Sequence, residues 1–161
     1  MIEAYPSTPV RTFKVLGAGG GTFSNTGNTD ETIVKTVTMP ANSMGPNGVL
    51  KISSIWSNNN SVGTKTHRIR LGGISGTILF TVGSTSNISY NDPERTIANA
   101  GATNSQVGRN SGTAGAGGSA SAVLTAAVDT TAAVDIVFTV QLSDGADNGA
   151  LRAYSVEVCY G

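Results

Sequence analysis

Between Val134 and Leu142, the residues Val134, Ile136, Phe138, Val140 and Leu142 occupy every second position. Asp135, Thr139 and Gln141 stand between them, and Val137 is the one apolar exception. Side chains alternate across a strand with period two, so this stretch buries one face as a strand, whereas on a helix the same residues would scatter around the cylinder. The pattern recurs. Tyr154, Val156, Val158 and Tyr160 alternate with Ala153, Ser155, Glu157 and Cys159. Leu50, Ile52 and Trp56 alternate with Lys51, Ser53 and Ser57, and His67, Ile69 and Leu71 with Arg68 and Arg70. Ile78, Phe80 and Val82 come after Gly72-Gly73, a pair suited to the positive φ of a hairpin turn. Ile33, Val37 and Met39 make an earlier strand, stopped by Pro40, which has no N–H for a ladder. Gly45-Pro46-Asn47-Gly48 is the strongest turn signal in the chain. With weaker segments at 11–16, 88–98 and 122–128 the count reaches about eight to nine strands, and no stretch carries a helical period. The fold predicted is all-β, a jelly-roll-like antiparallel β-sandwich.

A chain of 161 residues holds one domain with a substantial core. Two regions break the alternation. Residues 17–30 are rich in Gly, Thr, Ser and Asn with Phe23 as their one large apolar residue, and they read as a flexible linker behind an N-terminal arm. The predicted division is therefore 1–30 for arm and linker and 31–161 for the sandwich. Residues 100–121 are dominated by small side chains and read as a long exposed loop, a candidate contact surface.

Charged residues make up only 12% of the chain, ten basic against ten acidic, so the sequence announces no basic face for phosphates and nucleic acid is not an expected partner. No apolar run approaches the roughly 20 residues that span a bilayer, and the first residues lack the charged and apolar regions of a signal peptide. A soluble protein made in the cytoplasm is the expectation, with no membrane partner. A single cysteine, Cys159, and a single histidine, His67, rule out an internal disulfide and multi-thiolate or multi-histidine metal sites. No cofactor, metal or catalytic residue is expected.

The individual motifs have plain readings. The run Gly17-Ala18-Gly19-Gly20-Gly21-Thr22 lacks the helix that must follow a phosphate-binding glycine loop. The segment from Asp144 to Gly149 misses the EF-hand spacing, with Ser155 where the twelfth-position Glu belongs, and reads as a hairpin turn. No Gly-x-Ser-x-Gly elbow accompanies His67, which shares a face with Ile69 and Leu71 and reads as a partly buried structural histidine. Trp56 shares a face with Leu50 and Ile52 and reads as core. Cys159 falls on the polar face of the last strand as an inert thiol. Asn58-Asn59-Asn60-Ser61 reads as a loop tip. Arg68 and Arg70 lie side by side on one strand face. Solvated charge is the simpler reading for them, and bidentate binding of a neighbouring subunit's carboxylates is the functional one.

Specific residues also carry a resemblance. The run Thr36-Val37-Thr38-Met39-Pro40-Ala41-Asn42-Ser43-Met44-Gly45-Pro46-Asn47-Gly48-Val49-Leu50-Lys51-Ile52 resembles the opening of a family of small structural proteins of tailed bacteriophages. Lys65 to Gly72 resembles that family's basic strand ending in Leu-Gly-Gly. Asn104-Ser105-Gln106-Val107-Gly108 resembles its mid-domain signature, and Leu151 to Val158 its closing strand. The resemblance spans roughly residues 20–160. It implies a jelly-roll protein of the phage head or tail exterior with no catalytic residues to carry over.

The function expected is that of a bacteriophage virion structural protein, a capsid decoration or cement protein, or head fibre, on the outside of the major capsid lattice. The partners expected are further copies of the chain, as a homotrimer, and the major capsid protein. The trimer number comes from the resemblance. Localisation is the virion exterior after synthesis in the host bacterial cytoplasm. The candidate partner-binding residues are Tyr5, Phe13 and Val15, whose apolar groups need a surface to bury against, with Arg68 and Arg70. The rival within the same fold is a tail-fibre or receptor-binding module for a host glycan or protein, marked by exposed loop aromatics, of which Tyr90 is the candidate. A carbohydrate-active enzyme is the remaining rival, and it requires two facing carboxylates that no sequence pattern supplies.

Overall fold

The structure, a computed structural model, describes residues 12–85, 89–109 and 123–161, with side chains omitted for 89–93. Within these residues the chain forms ten strands: β1 (Lys14–Thr26), β2 (Thr32–Met39), β3 (Val49–Asn58), β4 (Lys65–Leu71), β5 (Thr77–Ser84), β6 (Ser89–Asn99), β7 (Gln106–Gly108), β8 (Leu124–Ala126), β9 (Val134–Leu142) and β10 (Asn148–Cys159). They lie in two antiparallel sheets, one in the order β1-β10-β3-β6-β7-β8 and the other β2-β9-β4-β5.

Setting aside the short β7 and β8, the strands pair as in one long hairpin: β1 with β10, β2 with β9, β3 with β6, and β4 with β5 at its turn. Successive pairs fall alternately in the two sheets, and β10–β3 and β9–β4 contacts stitch the rolled hairpin together. That winding defines a jelly roll. Its loops collect at two ends. The β1–β2, β3–β4, β5–β6 and β9–β10 connections leave their strands at one end, and the β2–β3, β4–β5, β6–β7 and β8–β9 connections at the other.

The period-two pattern explains the core. Leu50, Ile52 and Trp56 of one sheet face Ile69, Leu71, Ile136, Phe138 and Val140 of the other, all fully buried. Burial of each such side chain contributes about 1.5–3 kcal/mol before ordering costs. Val137, the break in alternation, points to the outer face and is nevertheless buried, opposite Arg70 in register.

Three expectations are corrected. Residues 17–26 are not a linker: they belong to β1, which pairs with β10 from Lys14↔Val158 to Thr26↔Asn148, with register shifts between Val15 and Gly17 and between Gly20 and Phe23. A small residue suits this edge at Gly17, where a Cβ would stand 3.2 Å from both Val37 methyls, while one at Gly19 would meet the Tyr154 ring at an ordinary contact distance of 3.5 Å. The sandwich therefore begins at Lys14, ahead of residue 31. The expected loop 100–121 contains a strand, β7; residues 110–122 lie outside the described residues. Cys159 is buried rather than on a polar face, while Tyr160 is 66% exposed. The end of the chain turns into the β2–β3 connection there, where Asn47 N–H donates to the Gly161 carbonyl.

Candidate functional site

The arginine pair stands on the outer face of the β2-β9-β4-β5 sheet, as strand parity requires. It is neither free nor fully solvated. Glu31, just before β2, reaches across β9 to meet both guanidinium groups. Arg70 donates from Nε and an η nitrogen to the two Glu31 oxygens at 2.8 and 2.7 Å, and Arg68 lies 3.1 Å from Oε2. The Thr139 hydroxyl donates to Oε1 at 2.6 Å, Arg68 donates to Gln141, and Arg70 to the Gly76 carbonyl. The Arg70 hydrogen bonds above all, helped by Thr139 and the two positive charges, hold the Glu31 carboxyl below its ordinary pKa against the cost of burial. The arrangement ties the β1–β2 connection to the middle of the sheet, with two positive charges on one carboxylate.

Of the N-terminal candidates, Tyr5 lies outside the described residues. Phe13 is half-buried, its ring 4.8 Å from the Lys51 ammonium on β3, and so folds back onto its own sandwich. Val15 is 56% exposed on edge strand β1. Arg68 and Arg70 are thus brought together, while Phe13 and Val15 sit on the other sheet. Tyr90, the candidate loop aromatic, is a strand residue of β6, its backbone opposite Trp56.

Each end of the roll is closed by a buried polar hub that the motif reading missed. At the β2–β3 end, the Asn99 carboxamide donates to the carbonyls of Met44 and Gly45. Gln106 donates to Asn99 Oδ1 at 2.7 Å and receives the Val128 N–H, and the Thr130 hydroxyl lies within hydrogen-bond distance of the Met44 and Thr103 carbonyls, its one proton serving either. At the other end Lys65, with 0% exposure, donates to Ser61 Oγ and the Gly63 carbonyl at 2.5 and 2.9 Å, with its ammonium 3.8 Å from Asp147 Oδ1. Asn59 donates to the same Oδ1. The Ser61 hydroxyl beside it, then Asn59 and the Lys65 charge, hold the Asp147 carboxyl below its usual range although burial opposes this. By hydrogen-bond geometry the direct contacts fall on Oδ1. This hub braces the β3–β4 loop, whose tip presents Val62 at 96% exposure. Sequence parity held the missed signal: Lys65 is in phase with His67, Ile69 and Leu71, the inward face of β4.

Little in the described residues resembles a reaction centre. No group of three or more His, Cys, Asp or Glu comes together among them. His67 is sealed at 0% exposure, its ring stacked on Trp56 with centroids 4.6 Å apart, and burial pushes its imidazole pKa down to about 3. A shallow recess of about 400 Å³ beside Gly72, Gly73 and Val134 carries two carboxylates, Asp129 and Asp135. Thr131 hydrogen bonds hold Asp129 below its ordinary pKa, opposite to what a general acid needs, and Asp135 accepts the Thr38 hydroxyl at 2.6 Å.

The sequence matches no protein-family model, and no curated protein matches it significantly. Among solved structures it is similar to infectious bursal disease virus chains. For the Gt strain the identity is 13% and the TM-score 0.37 over 98% of this chain and 37% of that one. For the VP2 subviral particle the values are 13% and 0.37 over 99% and 37%, and for the T13 viral particle 13% and 0.37 over 99% and 35%. The chain thus spans little more than a third of those it matches. With superpositions at that level, the jelly roll rests on the strand order itself.

Proposed function

We propose that this chain is a structural, non-enzymatic component of a tailed-phage virion, a decoration or cement protein mounted on the outside of the capsid as a homotrimer. The observation that carries the reading is where the phage-like landmarks fall. The run from Thr36 to Ile52 is the second half of β2, the β2–β3 connection and the start of β3. Its Met44 and Gly45 carbonyls are the ones Asn99 grips, and Gln106, from the mid-domain signature, holds Asn99 in place. A Cβ at Gly45 would collide with the Gly161 carbonyl at 2.5 Å, and one at Gly48 with Met44 at 2.8 Å. The resemblance therefore falls on residues that interlock in space, which supports shared fold rather than shared composition.

Binding is the whole of the proposed chemistry. A neutral surface rich in Thr, Ser and Gly suits many weak contacts repeated about a symmetry axis, where avidity replaces a single strong interface. Attachment is assigned to residues 1–11 together with Val15, and Arg68 and Arg70 are assigned to carboxylates of a neighbouring subunit. Electron microscopy of the particle tests the position: density for the roll on the capsid exterior supports the reading, and density on a tail fibre replaces it with a receptor-binding module. Sedimentation tests the trimer, and a stable monomer at micromolar concentration would count against it. Deleting residues 1–11, which leaves β1 whole, should give a folded protein that no longer occupies undecorated capsids.

A further inference from the structure

Each sheet ends in strands that have a partner strand on one side alone among the described residues. β1 pairs only with β10, β2 only with β9 and β5 only with β4, while the far edge of the larger sheet is β8, three residues long. An open edge is a template for another strand. All three long edges carry the same irregularity. Leu16 is an extra residue between Val15 and Gly17, which face consecutive residues of β10. Val34 is extra between Ile33 and Lys35 against β9, and Leu79 between Ile78 and Phe80 against β4. In each case the extra residue lies on the edge strand and is apolar. Leu79 is fully buried, and Leu16 and Val34 are partly buried against the core. β1 is interrupted a second time, where Gly21 and Thr22 stand opposite Arg152 alone.

We propose that these bulges close the long edges to strand addition, so that a further copy of this chain associates with it through side chains and not by extending either sheet. An extra residue bends its strand, increases the local twist and throws the outward N–H and C=O groups out of step. The regular runs that remain are 17–20 and 23–26 on β1, 35–39 on β2 and 80–84 on β5. Only alternate residues of such a run turn their backbone groups outward, so an added strand finds about two or three in step before the bulge carries the row away. The device is tied to folding, because the residue that disturbs the edge also fills the core. In the sequence it shows as the neighbouring apolar pairs Val15-Leu16, Ile33-Val34 and Leu79-Phe80, each a break in the period of two. The inference concerns the isolated chain and holds wherever the roll is mounted.

The test is residue-resolved amide hydrogen exchange of the full chain at low micromolar and at millimolar concentration, and in the presence of synthetic peptides that copy β2 and β5. In the wild type the outward amides of β1, β2 and β5 should exchange at the same rate in every condition. Deleting Val34 straightens β2, and its outward amides should then slow about tenfold or more as concentration rises. Deleting Leu16 makes the matching test on β1 if the first variant does not fold. Slowing of these amides in the wild type with concentration or peptide would overturn the proposal. So would edge amides that stay equally fast in a folded deletion variant. If neither deletion folds, the wild-type rates decide the matter.

Discussion

His67 shows how one side chain sets a pH dependence. Its imidazole is buried neutral against Trp56, with a pKa near 3 in place of the ordinary 6.5. The folded pKa is depressed, so the unfolded chain binds the proton first as pH falls. Stability is full above about pH 6.5 and is lost progressively down to about pH 3. Between pH 7 and 5 this one group should lower unfolding free energy by about 2 kcal/mol. The window opens before Glu31 and Asp147 contribute, since their depressed carboxyls lose stability only below their unfolded values of 4.5 and 3.8. Urea midpoints measured from pH 7 to 5 should fall for the wild type and stay nearly flat for His67→Phe, which keeps a ring on Trp56. Glycines separate just as sharply. Gly73 has φ 79° with nothing within 4 Å of a built Cβ, so Gly73→Ala should cost only the left-handed strain, about 1–2 kcal/mol. At Gly76 a Cβ would stand 2.1 Å from the Leu71 carbonyl oxygen, and Gly76→Ala should cost clearly more than Gly73→Ala in the same urea titration.

At the scale of the element, the outer face of the β2-β9-β4-β5 sheet depends on one carboxylate. Glu31→Gln would leave Arg68 and Arg70 facing each other without it. Because the three side chains keep 14–18% exposure, solvent screens part of the repulsion, and the expected loss is about 1–2 kcal/mol. A double-mutant cycle with Arg70→Gln should recover most of that as coupling energy, and coupling near zero would show that the cluster is ornamental to stability. The strands themselves were largely legible: β2, β3, β4, β5 and β9 fall where alternation puts them, since each has one face in the core and one outside. β1 was not legible, because glycine is disfavoured in strands by its own entropy, and the closeness of the Val37 methyls to Gly17 is a contact between strands that no local pattern records. β7 was hidden for another reason. Three residues are too few to show a period, and it is held at Gln106 by long-range bonds to Asn99 and Val128.

Across the whole molecule, the two polar hubs hold together loops that are distant in sequence. The Lys65 ammonium contacts the carbonyls of Ser61, Gly63 and Thr85 and faces Asp147, so one side chain spans three of the four connections at its end. Lys65→Met should lower the thermal midpoint far more than Lys51→Met, because Lys51 pairs with Glu94 in an exposed bridge worth little in water. Equal shifts for the two variants would show that the buried hub contributes no more than a surface pair. Loosening should concentrate in residues 59–64 and 143–147, which amide hydrogen exchange would register as lost protection there.

The sequence by itself determined that the chain is all-β, where most strands lie, which turns need glycine, and that His67 and Trp56 belong to the interior. These follow from period-two burial and local turn chemistry, and both are written in neighbouring residues. Only the tertiary structure decided that the glycine run is an edge strand and that Glu31 bridges the arginine pair 37 and 39 residues away. It also decided that a lysine and an aspartate from opposite halves of the chain meet in the interior. Such contacts depend on how the long hairpin is wound between two sheets. Winding sets which distant residues become neighbours, and no local pattern encodes it.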